Sequence, residues 1–400
     1  MGAEEEDLRP ETAKRTYREE ESADKTVAFC KAVRLAKKGE DYATELLQPR
    51  HSAFAVFDGH SGRSFARAAS DALCQRLLAD GPPFTREKIV DAFWTLDAEV
   101  GMQRGEKSGS TAQVLLVERR EGEGGPSMLG TVAWCGDSSL VVTDMRTGSV
   151  VFSTTSHTAG PDHQGVDGGT EAKELLVDLV RVREQVEKTR GADANRHKMT
   201  EEDIRSALTE LGSDAPAWDD ERVSLAIRAY ARARLIARTH RDPPNSEVSF
   251  EAARKRAYVR QREYEHDQNQ VWVVSTATTR ADPTYNDLQM TRSLGDWKAS
   301  DMVLPHPEIH TFEVPHGAHM RVVLASDGLW DVCKFAKAAS IAAKSSSVKQ
   351  CASKLIQIAE DDYLSFREHK FMDDDTTVIV VDLVPSGDPV NPQGGCCTLS

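Results

Sequence analysis

The stretch FAVFDGHSG, Phe54–Gly62, decides how this chain is read. An apolar, strand-forming run climbs to Phe57, and then an Asp, a Gly and a His follow in consecutive positions. A buried strand that stops on a carboxylate and an imidazole presents both at one rim, where side chains from distant segments meet. Gly59 lets the backbone turn there and aims a carbonyl oxygen at a ligand. Asp-rich punctuation recurs as GED at 39–41, CGDSS at 135–139, LGD at 294–296, SDGLWD at 326–331 and MDDDTT at 372–377, each close to an apolar run. A single Asp-Gly is also an ordinary solvated turn. The ensemble calls for more, because carboxylates converging on one rim repel each other. Hard divalent cations in all-oxygen sites, Mg²⁺ or Mn²⁺, relieve that repulsion.

Around this stretch the apolar pattern predicts an α+β layered fold. Strands are expected at Phe54–Phe57, Val114–Val117, Leu129–Trp134, Leu140–Thr143, Val150–Phe152, Val271–Val274, Val322–Ala325 and Val378–Val381. Phe65, Ala69, Leu73 and Leu77 repeat every four residues and predict a helix directly after DGHSG. In the next helix Thr85 is the expected cap and Phe84 staples onto Ile89. Residues 336–363 read as further helix. Residues 1–24 read as a charged mobile leader, 25–385 as the main domain, and 386–400 as a flexible Pro/Gly-rich tail. Within the domain, about 160–268 reads as a helical insertion: Leu175, Leu179, Val182 and Val186 make one amphipathic face, Thr200 and Asp203 a capping box, and Val223, Ile227 and Tyr230 begin another helix. Its stretch Arg228–Arg262 is basic, which suits either docking of acidic partners or a helix face closed by local ion pairs.

Composition narrows the class. The 400 residues carry a formal charge of −14, with 39% hydrophobic and 28% charged residues. That is a core-forming protein without the basic balance of a nucleic-acid binder. No segment approaches the ~20 apolar residues of a membrane span. The opening MGAEEEDLRPETAKR is too charged for a secretory signal. The seven cysteines are odd in number and lack zinc spacing, which suits reduced thiols in a cytoplasmic protein.

Seven segments, KKGEDY, FAVFDGHSG, SGSTA, CGDSS, MTRSLGDW, ASDGLWDV and DDTTVIVV, stand in an order that resembles the metal-dependent protein Ser/Thr phosphatases of the PP2C (PPM) family. The likeness covers roughly residues 30–160 and 275–385. It implies a central β-sandwich of two antiparallel sheets flanked by helices, with two Mg²⁺ or Mn²⁺ ions at one end. By resemblance Asp58 bridges both ions, Gly59 lends its carbonyl, Asp327 and Asp374 complete the first ion, and Glu40 and Asp41 hold its water. Asp137 and Asp331 match ligands of a looser third ion. The implied reaction is direct attack on phosphorus by a water shared between the ions, with His60 as general acid. Phosphorylated proteins are the implied substrates of a monomeric enzyme. A catalytically inactive relative that binds phosphoproteins is the alternative.

Three departures from the resemblance matter. Ala36 stands where many members carry a phosphate-gripping Arg, with Lys37 and Lys38 as candidate replacements. Ser156-His157-Thr158 stands in place of an Asp-His-Lys run. The insertion fills a region that is usually short. Finally, Cys397-Thr398-Leu399-Ser400 fits a C-terminal prenylation box, with Cys396 as a second acylation candidate and peripheral membrane association as its consequence.

Overall fold

The structure is a computed structural model that describes residues 15–36, 38–103, 106–122, 124–158, 164, 169–190, 199–212, 218–239, 258–263, 270–277, 285–299, 303–366 and 374–386. Two antiparallel sheets form its centre. The first runs in the order β1 (Thr16–Glu21), β2 (Val27–Arg34), β17 (Thr376–Leu383), β16 (Met320–Ala325), β9 (Ser139–Asp144) and β10 (Val150–Ser153). The second runs β15 (Glu308–Val314), β8 (Ser127–Cys135), β7 (Ala112–Arg120), β4 (His51–Phe57) and β3 (Tyr42–Leu47).

Strand alternation sorts the core into layers. On β4, Phe54 and Val56 join Phe29, Leu115, Leu324 and Ile379 between the sheets. Ala53, Ala55 and Phe57 face the other way, onto helices α1 (Ser64–Ala79) and α2 (Arg86–Gly101). The opposite flank of the sandwich packs Cys30, Val323 and Val380 against Leu329, Ala338 and Leu355. Those three belong to α6 (Asp327–Trp330), α7 (Phe335–Lys344) and α8 (Val348–Phe366). The expected sandwich with flanking helices is therefore observed. The helical stretch expected over 336–363 is formed by two helices, parted at residues 345–347 where Ser345 turns extended (ψ 130°).

The mobile leader expected over 1–24 needs correcting. Its Thr16–Glu21 segment is an edge strand, paired with β2 from Thr16↔Val33 to Glu21↔Ala28. All six of its side chains are exposed, so backbone hydrogen bonds hold it and apolar periodicity never marks it. Its charged side chains also suit an edge that must not recruit another strand.

The insertion supplies α3 (Gly169–Arg190), α4 (Glu201–Leu211) and α5 (Asp220–Thr239). Thr200 and Asp203 form the expected capping box, and Gly212 ends α4 at φ 58°. Toward its end the stretch read as a helical insertion over about 160–268 also holds a strand, β11 (Tyr258–Glu263), which pairs with β12 (Gln270–Ala277) and that with β13 (Tyr285–Leu288). Leu179, Val182, Val186, Ile204, Val223 and Tyr230 bury together with Val303 and Leu304, and Trp94 of α2 packs against them. The insertion is thus seated on α2 through an apolar core of its own. In the basic stretch, Arg228 pairs with Asp91 at 2.7 Å and Arg232 with Asp97 at 2.8 Å, so these two arginines close local ion pairs. Among the described residues no helix is long and apolar enough to cross a membrane.

Candidate active site

Three Gly-containing segments meet in a sheet of two-residue strands: β14 (Leu294–Gly295), β6 (Gly109–Ser110) and β5 (Gly59–His60). His60 lies opposite Gly109, and Gly109 opposite Gly295. The middle position must be glycine. A Cβ there would stand 2.3 Å from both His60 Nε2 and Asp296 Oδ2, two atoms that face each other across it. His60 Nε2 lies 2.8 Å from each carboxylate oxygen of Asp296, and Ser293 Oγ donates to Oδ2 of the same group. Burial by itself would lower the His60 pKa. The charge and hydrogen bond of Asp296, with Asp137 and Glu40 beyond, more than offset that and raise it.

Beside this pair lies the acid rim. Burial pushes the Asp58 carboxyl well above the ordinary carboxylate range, and the charges of Asp41 and Asp327 add to the shift. Burial likewise lifts Asp41 to about 8, although Ser326 Oγ donates to its Oδ2 at 2.8 Å. Asp137 rises to about 7 through burial and the charge of Asp327, with His60 acting the other way. Asp374 rises through burial and Asp327, against the pull of Lys38, whose Nζ lies 2.9 Å from its Oδ2. Elements far apart in sequence supply this group: the end of β4, the β2–β3 loop, the β8–β9 turn, the start of α6 and the approach to β17.

The donors are hard oxygens, and Asp58, Asp41 and Asp137 have no cationic side chain bonded to them among the described residues, which is the chemistry that suits Mg²⁺ or Mn²⁺. In that respect the residues fit. They do not form a closed shell: among the described residues no group of three or more His, Cys, Asp or Glu side chains is a ready-made metal site.

The remaining sequence candidates fall around this rim. Glu40 Oε1 accepts the Gly62 N–H at 2.8 Å and so ties the GED loop to DGHSG. A Cβ on Gly59 would lie 2.6 Å from the Glu40 carbonyl, so only glycine admits that approach. Asp331 follows α6, its N–H donating to the Asp327 carbonyl at 2.8 Å. Lys38 reaches the rim, while Lys37, Cys396 and Cys397 lie outside the described residues. His157 is buried as a brace for the CGDSS turn: its Nδ1 accepts the Gly136 N–H at 3.2 Å, and its ring stacks on Trp134.

Sequence reading missed Asp375. Its Oδ2 accepts the N–H groups of Glu40 (2.6 Å) and Asp41 (3.2 Å), and its Oδ1 accepts that of Ala36. It therefore shapes the loop that carries the acidic pair. The run of three Asp at 373–375 was the available signal, but nothing in it says which one turns toward backbone.

Comparison with solved structures gives the class of fold. A serine-threonine phosphatase 2C from Toxoplasma gondii superposes with a TM-score of 0.55 at 15% identity, covering 92% of this chain and 99% of that one. A second Toxoplasma gondii phosphatase gives 0.54 at 13% identity, covering 94% and 96%. The architecture is that of the phosphatase 2C sandwich.

A family model for protein phosphatase 2C matches residues 26–163 and 267–362, on either side of the insertion helices. The chain belongs to the protein phosphatase 2C family. Among curated proteins, probable protein phosphatase 2C 5 of Arabidopsis thaliana is 34% identical over 100 residues, 25% of this chain and 21% of that protein. Probable protein phosphatase 1N of Mus musculus is 36% identical over 112 residues, 26% and 25% of the two chains. The matched parts thus span about a quarter of these relatives' length.

Proposed function

We propose that this chain is a divalent-cation-dependent phosphatase acting on phosphoserine and phosphothreonine in proteins. Family membership supports the reaction class. The observation that carries the reading is a histidine held by a buried carboxylate, Asp296, beside a rim of aspartates that burial and one another's charge drive toward protonation. Asp58, Asp327, Asp374 and the Gly59 carbonyl would hold two cations, with Glu40 and Asp41 around them and Asp137 and Asp331 toward a third. When bound, Mg²⁺ or Mn²⁺ supplies positive charge for the phosphoryl oxygens and acidifies the attacking water.

The chain's own groups do the rest. Asp296 occupies His60 Nε2 and orients the ring, so Nδ1 is the atom that carries the proton to the departing Ser or Thr oxygen. Burial opposes the charge on His60, but Asp296 favours the imidazolium and so raises the share of the donor that carries its proton. Lys38, beside Asp374 at the rim, offers a point charge to a phosphate where Ala36 offers none.

The test is hydrolysis of a phosphothreonine peptide by the purified chain, with and without Mn²⁺, beside Asp327→Asn. Cation-dependent turnover that the variant loses is the expected result. A wild-type chain that binds the phosphopeptide without turning it over would sink the enzyme reading in favour of an inactive phosphoprotein-binding relative.

A further inference from the structure

Asp296 can hold His60 only if its own turn is held. That turn is unusual: Gly295 has φ +83° and Asp296 φ +58°, so two successive residues are left-handed and the second is not glycine. Pairing with β6 and an Asp296 N–H donated to the Ser108 carbonyl at 3.2 Å hold one side of it, and the remaining fixings come from outside the sandwich. Asp97 of α2 is 1% exposed and grips both sides of the turn: Oδ1 accepts the Gly295 N–H at 2.7 Å, and Oδ2 accepts the Trp297 Nε1–H at 2.9 Å. Arg232 of α5, itself 4% exposed, completes the clamp. Its Nε donates to Asp97 Oδ2 (2.8 Å), and its Nη2 donates to Asp97 Oδ1 (3.3 Å) and to the Gly295 carbonyl (2.5 Å). The guanidinium also lies over the Trp297 ring, 5.6 Å from its centroid.

Between them, Asp97 and Arg232 bind the N–H and the carbonyl of the residue before Asp296 and the indole of the residue after it. Side-chain pairs run in the same order along α2 and α5, Arg86 with Glu221, Asp91 with Arg228 and Asp97 with Arg232. The two outer pairs are largely exposed, whereas Arg232 alone of the three arginines is buried and reaches the turn. A lysine could neutralise Asp97. It has no planar fork with which to serve a carboxylate and a carbonyl together.

We propose that Arg232 is a positioning residue for the proton donor: the inserted helix α5 fixes the Gly295–Asp296 turn and, through Asp296, the His60 ring. The insertion then contributes to the chemical step rather than decorating the edge of the domain. This rests on the phosphatase reading given above. It makes a distinction that a purely structural clamp does not. A threonine alkoxide leaves poorly unless it is protonated, while p-nitrophenolate leaves without help. Losing the orientation of His60 therefore penalises the first substrate far more than the second.

The experiment compares wild type, Arg232→Lys and the double variant Asp97→Asn/Arg232→Met, which removes both charges of the buried pair and so leaves neither stranded. Each is assayed with Mn²⁺ on a phosphothreonine peptide and on p-nitrophenyl phosphate, with thermal melting alongside. The double variant is expected to lose about 30-fold or more in kcat on the peptide and less than about threefold on the aryl ester, with KM little changed. Arg232→Lys is expected to fall between wild type and the double variant on the peptide. Equal losses on both substrates, or no loss on the peptide in either variant, would overturn the proposal while leaving the phosphatase reading intact. A wild type that hydrolyses neither substrate would overturn that reading and take this one with it.

Discussion

Two kinds of buried aspartate lie around His60, one tied to it by hydrogen bonds through the Asp296 turn and one by charge, and they are balanced in opposite ways. Asp97 meets a guanidinium fork, a backbone N–H and an indole N–H, so its charge is fully answered by the chain. Asp58, Asp41 and Asp137 meet mostly one another, and burial drives each of them upward, Asp41 to about 8 and Asp137 to about 7. A buried carboxylate that brings its own cation is part of the scaffold. One that does not would, on the proposed reading, take a cation from solution, and that is the difference between a site and a brace.

The sharpest way to break the comparison is the same change at both places. Asp58→Asn should cut peptide turnover by about a thousandfold or more if, as proposed, Asp58 is a central cation donor. In a chelator the same variant should be more stable than wild type at pH 7.5, because it deletes an unanswered buried acid. Asp97→Asn should do the reverse, losing about 3 kcal/mol of stability by stranding Arg232. Chemical denaturation read by fluorescence checks both. Loss of stability in both variants would mean that the rim is as self-contained as the clamp.

Gly109 is where the two sets meet. Gly109→Ala would drive a methyl into the contact between His60 and Asp296. Peptide hydrolysis should fall by about a hundredfold, the scale of a lost general acid. Cation binding in calorimetry should change much less, because the acid rim is not touched. A parallel loss of cation affinity would show that the pair and the rim cannot be separated.

Acidity gives a further contrast. The rim acids have folded pKa values above their unfolded ones, so their contribution to stability is complete below about pH 4 and is lost as the pH rises through about 7 and 8. His60, raised too, has the same sign. His157 and His306, lowered by burial to about 4 and about 3, have the opposite sign: their contribution is complete above about pH 6.5 and lost below it. The interval from pH 6.5 to 8.5 therefore reports the rim acids and His60, and not the two buried histidines. In chelator the melting temperature should fall by several degrees across it, and saturating Mn²⁺ should flatten the slope. A slope that Mn²⁺ leaves unchanged would count against the rim as the cation site.

The same contrast explains what was legible in the sequence. Most of the rim was, because three of its acids end an apolar strand beside a glycine, Asp58 after Phe54–Phe57, Asp137 after Leu129–Trp134 and Asp327 after Val322–Ala325, while Asp41 and Asp374 sit beside another acid just ahead of a strand. The sandwich was legible for the same reason, through strands buried on both faces. The clamp was not. Asp97 lies on a helix whose apolar stripe is complete without it, and Arg232 lies in a run of arginines where composition suggests a solvated face. Their meeting depends on how α5 seats on α2, which no local pattern encodes. The strand Thr16–Glu21 escaped because backbone pairing leaves no mark on a fully exposed side-chain pattern.

The smallest effect concerns Lys38, a cation that the chain itself brings to the rim. Its pairing with Asp374 is half exposed, so water screens it and its removal should hardly change stability. Burial works against its charge, yet Asp374, Asp327 and Asp58 together keep its pKa raised, so it stays an ammonium throughout the working range. On the proposed reading a solution cation would engage Asp374 and free that ammonium for substrate, and a phosphate is the anion that would take it up. Lys38→Met should then raise KM for the phosphopeptide by about threefold to tenfold while kcat stays within about twofold, because a point charge at the rim binds ground state and transition state alike. A fall in kcat at constant KM would instead make Lys38 part of the chemistry, and the line drawn here between answered and unanswered charge would have to move to include it.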